Sequence, residues 1–220
     1  MISTSKYRYT DIVENDSIDP PTTIEIIHGN CFDIVNLIEN GCLHNFANNE
    51  KQGGPCSVFT EDGNYISQST KSNTQEDQLV KLYKEKLILP KYHYPIIQDN
   101  IEALLHSKCG DMKPVITLPA IICPNFSKKH IEASIIKRIL LLLYVCKLYN
   151  YTLVTGLWGC GAFGADPNKM FELWKEALSM SRHQPVKIIF VIKIDSYSKK
   201  WNNNNDIVNI IKKHLKHFIL

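Results

Sequence analysis

Residues 151–170 read YTLVTGLWGCGAFGADPNKM, and their order predicts a strand, a glycine turn and a helix. The short β-branched and apolar run up to Trp158 suits a buried strand. Gly159, Gly161 and Gly164 end it, because glycine enters tight turns without a Cβ penalty. Pro167 then suits the first turn of a helix reaching Met180, with Met170, Phe171 and Trp174 on its core face.

The same alternation recurs outward from this unit. TTIEIIH (22–28) reads as a strand, and Gly29-Asn30 turns the chain into a helical segment near FDIVNLIEN. Leu43 to Ala47, PVITLPAIIC (114–123) and VKIIFVIKI (186–194) read as further strands, with His130 to Tyr149 and Asp206 to Lys216 as helices. Helices are also expected from about Thr74 or Gln75 to Leu87 and over Ile97 to His106. Asn48 to Asn73 is a long loop of the kind that carries function or lacks order. Residues 1–21, polar and ending in Pro20-Pro21, read as a loosely held N-terminal arm. Strands alternating with helices imply α/β layers around a mainly parallel sheet, in one domain over residues 22–220.

Composition narrows the function classes. The 220 residues are 44% hydrophobic and 21% charged, enough apolar material for a real core. Lysine plus arginine number 25 against 22 acidic residues, a net charge of +3 spread along the chain, which argues against a nucleic-acid module driven by bulk charge. The seven cysteines lack a Cys-x-x-Cys pair and favour neither a disulfide framework nor a zinc site. They read as reduced, buried thiols of a cytoplasmic protein. The eight histidines have no metal-ligand spacing, so neither metal nor cofactor is expected. The N-terminus lacks the apolar stretch of a secretory signal. Ile139 to Cys146, the longest apolar run, falls well short of the roughly 20 residues that span a bilayer, and no membrane partner is expected.

Three stretches could carry chemistry. In Trp158 to Gly164, a glycine-rich turn between strand and helix can bring backbone N–H groups against a phosphate. The alternative is a turn needed only for packing. The spacing satisfies GxGxxG, but a dinucleotide fingerprint wants an acidic residue about 20 positions on, and Asp195 lies too far along. In NFANNEKQGGP (45–55), Asn48 at a strand end can bond sugar hydroxyls, and Gly53-Gly54 let backbone approach a ligand; an ordinary turn would look the same. In SNTQEDQ (72–78), Glu76 and Asp77 form an acid pair at a helix start, suited to glycosidic cleavage, although a capping box has the same composition.

Taken in order, these stretches resemble the poly(ADP-ribose) glycohydrolase group of macrodomains. The matching residues are NFAN (45–48), GGP (53–55), QED (75–77), ICPN (122–125) and WGCGAFGADP (158–167), within about residues 22–194. The resemblance implies a three-layer α/β/α macrodomain-like sandwich with a mixed, mainly parallel sheet, and ADP-ribose or an ADP-ribosylated protein as partner. It implies that Gly159, Cys160, Gly161, Ala162 and Phe163 wrap the diphosphate, with the Phe163 ring against the distal ribose, and that Asn48, Gly53 and Gly54 line that ribose's pocket. Glu76 would touch the sugar hydroxyls, and Asp77 would act as general acid and base. The implied activity is removal of ADP-ribose from modified side chains, as single groups or as polymer; the alternative is a reader that binds ADP-ribose without cleaving it.

The sequence departs from the family at two points. Asp77 replaces a glutamate, shortening the reach by ~1.5 Å, and Pro55 replaces the third glycine, followed by a long stretch, 56–74, before Gln75. These changes are similar to a branch of macrodomains from bacterial effectors, delivered into host cells, that remove single groups, including arginine-linked ones. In that branch's manner Asp62 would supply a second carboxylate; a solvated Asp-Gly turn is the other reading of Glu61-Asp62-Gly63.

Overall fold

The computed structural model describes residues 3–12, 22–47, 57–59, 65–68, 75, 78–79, 101–107, 112–121, 129–161, 163–183, 185, 187–193 and 204–219. Its strands are β1 (Thr4–Arg8), β2 (Thr23–His28), β3 (Gly41–Asn45), β4 (Ser57–Phe59), β5 (Tyr65–Gln68), β6 (Glu102–His106), β7 (Val115–Thr117), β8 (Thr152–Thr155) and β9 (Lys187–Ile192). The helices are α1 (Cys31–Leu37), α2 (Lys129–Leu148), α3 (Pro167–Met180) and α4 (Asn204–Leu215), and Gln75, Gln78 and Leu79 are helical too.

Seven strands form one mixed sheet in the order β1-β6-β7-β3-β8-β9-β2. The run from β7 through β2 is parallel, and β6 is antiparallel to both of its neighbours. Strand alternation divides the core in two. Cys42, Ile116, Leu153, Ile188 and Phe190 face α2, α3 and α4 in one cluster, whereas Leu43, Val115, Val154, Ile189 and Val191 face α1 and Leu79 in the other. This is the expected α/β/α sandwich, with helices on both faces of a sheet too apolar to leave either exposed.

The helices begin where local chemistry predicts. Asn30 caps α1 by accepting the Phe32 N–H at 3.0 Å, and Asp166 caps α3 by accepting the Asn168 N–H at 2.7 Å ahead of Pro167. Met170, Phe171 and Trp174 are buried on α3 as expected, with the Phe171 and Trp174 rings each 5.2 Å from Phe190. Among the described residues four cysteines are free thiols, and no described helix is long and apolar enough to cross a membrane.

Three expectations are corrected. Ile97 to His106 does not form a helix throughout: Glu102–His106 is the strand β6, whose apolar Ala103 to Leu105 are buried between β1 and β7. The N-terminal arm contributes β1, an edge strand whose mostly exposed residues show no apolar alternation. It is held by its backbone ladder to β6 and by Lys6 and Arg8, each 3.1 Å from the Glu102 carboxylate. The long loop contains a two-stranded antiparallel ribbon, β4 with β5.

Candidate functional site

The parallel strands end together along one edge, the usual place for a ligand in an open α/β sheet. There β3 and β8 lie side by side, with Leu43 paired to Val154. The chain after β3 stays in register with the segment after β7, through Leu118 N–H to the Asn45 carbonyl at 3.4 Å and Ala120 N–H to the Ala47 carbonyl at 3.2 Å. Residues 45–47 are therefore fixed. Asn48 lies outside the described residues.

The chain after β8 folds into a compact turn. Trp158 N–H donates to the Gly156 carbonyl, Cys160 N–H to that of Leu157, Gly164 N–H to that of Gly161, and Ala165 N–H closes the turn onto the Gly159 carbonyl at 2.9 Å. Gly159 and Gly164 have φ of +79° and +74°, a region that strains any residue with a Cβ. At Gly161 and Gly164 an added Cβ would meet nothing within 4 Å among the described residues, so on that side the described turn is uncovered. Among the described residues the N–H groups of Gly159, Gly161 and Phe163 donate to no acceptor. Clustered backbone N–H groups just ahead of a helix start suit an anion.

Below the turn the packing is tight. Trp158 is 1% exposed and Cys160 3% exposed, so Cys160 can offer a ligand only its backbone. Burial, then the Asp166 charge, pushes its thiol up to about 12, which leaves it protonated. Phe163 is half-buried, packed against the edge of the core. Ala162 lies outside the described residues.

Strand β3 and the turn are joined through aromatic rings. His44 Nδ1 lies 3.0 Å from Thr155 Oγ1, and its ring is 5.0 Å from that of Phe46 and 5.2 Å from that of Trp158. Phe46 in turn lies so close to Gly156 that an added Cβ there would meet its ring at 3.3 Å. Burial pushes His44 down to about 3 and His106 down to about 4, so both are neutral in the folded chain. Their folded values lie below the ordinary 6.5, so the stability they confer is full above pH 6.5 and is lost as pH falls toward the folded values. Denaturant unfolding between pH 7.5 and 4.5 should show stability falling by up to about 1.4 kcal/mol per pH unit for each histidine; a flat profile would contradict their burial.

A third segment reaches the same edge. The Gln75 side chain accepts the Phe46 N–H at 2.8 Å through Oε1 and donates to the His44 carbonyl at 2.7 Å through Nε2. The start of the QED stretch is thus bound to the strand end that begins NFAN, beside the glycine turn. Glu76 and Asp77, which follow Gln75, lie outside the described residues, as do Gly53 and Gly54. So does Asp62, between the paired strands β4 and β5. Among the described residues no group of three His, Cys, Asp or Glu side chains could hold a metal. Two supports of the site were not read from the sequence: His44, which carries no motif signal, and the Gln75 amide, whose place at the head of QED was the one available hint.

Neither a family model nor a curated protein sequence matches the chain. Solved structures do. Poly(ADP-ribose) glycohydrolase from Thermomonospora curvata superposes with a TM-score of 0.64 at 15% identity, over 96% of this chain and 85% of that one. The enzyme from Deinococcus radiodurans, in complex with ADP-ribose, gives 0.60 at 17% identity over 89% and 85%. The Thermomonospora enzyme bound to the inhibitor ADP-HPD gives 0.58 at 14% identity over 96% and 84%. The sheet order, the two helical layers and these superpositions agree, and the chain has the macrodomain-like α/β/α fold of the bacterial poly(ADP-ribose) glycohydrolases.

Proposed function

We propose that the chain is an ADP-ribosyl glycohydrolase, which binds ADP-ribose and removes it from modified protein side chains, as single groups, arginine-linked ones included, or as polymer. The diphosphate lies over Gly159 to Phe163, and the distal ribose lies in the pocket of Asn48, Gly53 and Gly54. Asp77 protonates the leaving atom at the anomeric carbon as that bond breaks, and then accepts a proton from the water that captures the oxocarbenium-like sugar. Glu76 orients the ribose hydroxyls, and Asp62 adds a second carboxylate. The free cysteines suit a reducing compartment such as the cytoplasm.

The observation that carries this reading is the Gln75 amide bound to both His44 and Phe46, with the Phe46 ring against Gly156. It ties the start of the acid-bearing segment to a strand end adjoining the glycine turn. The fold shared with enzymes solved with ADP-ribose and with ADP-HPD adds support. Asp77 in place of the family's glutamate favours a second reading, a module that binds ADP-ribose without cleaving it.

Two assays separate the readings. ADP-ribose at a hundred times its dissociation constant should add ~2.7 kcal/mol, raising Tm by about 5 to 11 °C for a chain of this size. Incubation with arginine-, glutamate- and serine-linked conjugates and with polymer should release ADP-ribose from at least one. A thermal shift without release would leave the reader; no shift would remove both.

A further inference from the structure

Gln75 stands one residue ahead of the two carboxylates in the proposed chemistry, and its side chain is fully engaged. A primary amide offers an acceptor and a donor side by side, as a peptide group does. With Phe46 N–H on Oε1 and the His44 carbonyl on Nε2, it pairs with the end of β3 as another strand residue would. The Cys31 thiol, at the start of α1, donates to the Thr155 carbonyl at 3.9 Å. The Gln75 amide joins the end of β3 at two backbone positions, next to the Phe46 ring that lies against Gly156 ahead of the glycine turn. Leu79, one helical turn on, is fully buried in the cluster with Leu43, Val115 and Val154. The segment is held at two points, polar at Gln75 and apolar at Leu79.

We infer that Gln75 is a positioning residue that fixes against the end of β3 the segment in whose sequence Glu76 and Asp77 follow it. The inference rests on the glycohydrolase reading for its catalytic meaning. Leu79 alone would leave the helix start free to rotate about its apolar contact. The paired polar contact removes that freedom, and a misplacement of about 1 Å in a catalytic group can cost roughly 10²-fold in rate.

Glutamate at position 75 makes a discriminating test because it has the same shape. Ionised, it still accepts the Phe46 N–H but sets its other oxygen against the His44 carbonyl. Protonated, it regains the missing donor. That contact favours the protonated form and raises its pKa above the ordinary ~4.3, so the paired contact should return on mild acidification.

The experiment joins Gln75→Glu and Gln75→Ala to release assays across pH and to backbone amide exchange. Relative to wild type, Gln75→Glu should release ADP-ribose more slowly by ~tenfold or more at about pH 8, through kcat with KM little changed. Its rate should recover toward wild type by about pH 5. In Gln75→Ala the amides of Phe46 and Leu79 should exchange faster together, with Phe190 on β9 unchanged as a control for folding. A Gln75→Glu rate that parallels wild type at every pH overturns the inference, as does faster exchange at Phe46 with Leu79 unmoved. A wild-type chain that releases nothing from any conjugate removes the glycohydrolase reading instead, and the paired exchange still decides whether Gln75 holds this helix start.

Discussion

Asp77→Asn is expected to lower the release of ADP-ribose by about 10²- to 10⁴-fold, the usual contribution of a positioned proton donor and acceptor. Asparagine has nearly the same size but can neither protonate the leaving atom nor take a proton from the attacking water. Affinity for ADP-ribose should change little, because asparagine keeps the size of the side chain and the proposed diphosphate contact is with the backbone of the glycine turn. Measured together, a lost turnover with a retained dissociation constant identifies Asp77 as the proton handler. Unchanged turnover would move that role elsewhere, with Asp62 and Glu76 the first alternatives to replace.

The second large effect concerns the turn itself. Trp158 is 1% exposed, lies in the main core cluster and meets His44 ring to ring at 5.2 Å. Removing such a side chain forfeits its buried area and leaves a cavity, so Trp158→Ala should cost about 3–5 kcal/mol. At roughly 2–4 °C per kcal/mol, Tm should fall by about 6 to 20 °C. Because the backbone of Trp158 donates to Gly156 and leads directly into Gly159, ADP-ribose binding should weaken along with stability. Trp158→Phe keeps most of the apolar contact and should fall between. A Trp158→Ala chain that melts within about 2 °C of wild type would show that the turn is not anchored through this ring.

The features that set the fold were legible where local chemistry and burial agree. The strand, glycine turn and Pro167 helix of residues 151–180 carry their own signals, as do β2, β9 and the long α2, whose composition needs no distant partner to be read. The misreadings share a cause. Residues 103–105 are a short apolar run without a period, so the same letters fit a buried helix or a buried strand, and only pairing with β1 and β7 decides. Strand β1 is polar because it lies at the sheet edge, where charged side chains are usual, and its partner Glu102 is 94 residues from Arg8. At the site, motif order gave the expectation that the glycine turn and the QED segment serve one cleft, and the structure places Gln75 of that segment at the end of β3. Motif order could not show how the cleft is braced. The Gln75 bonds to His44 and Phe46 run from side chain to backbone across 31 and 29 residues, and the neutral, buried state of His44 follows from its neighbours and not from its letter.

The central claim is that one cleft at the carboxyl edge of the sheet serves both the glycine turn and the segment that begins at Gln75. Titrating isotope-labelled protein with ADP-ribose and following backbone amide resonances tests it most directly. The amides of Gly159, Gly161 and Phe163 should shift together with those of Phe46 and Gln78, all with one dissociation constant. Shifts in the turn alone, or shifts in the two segments with different dissociation constants, would contradict it.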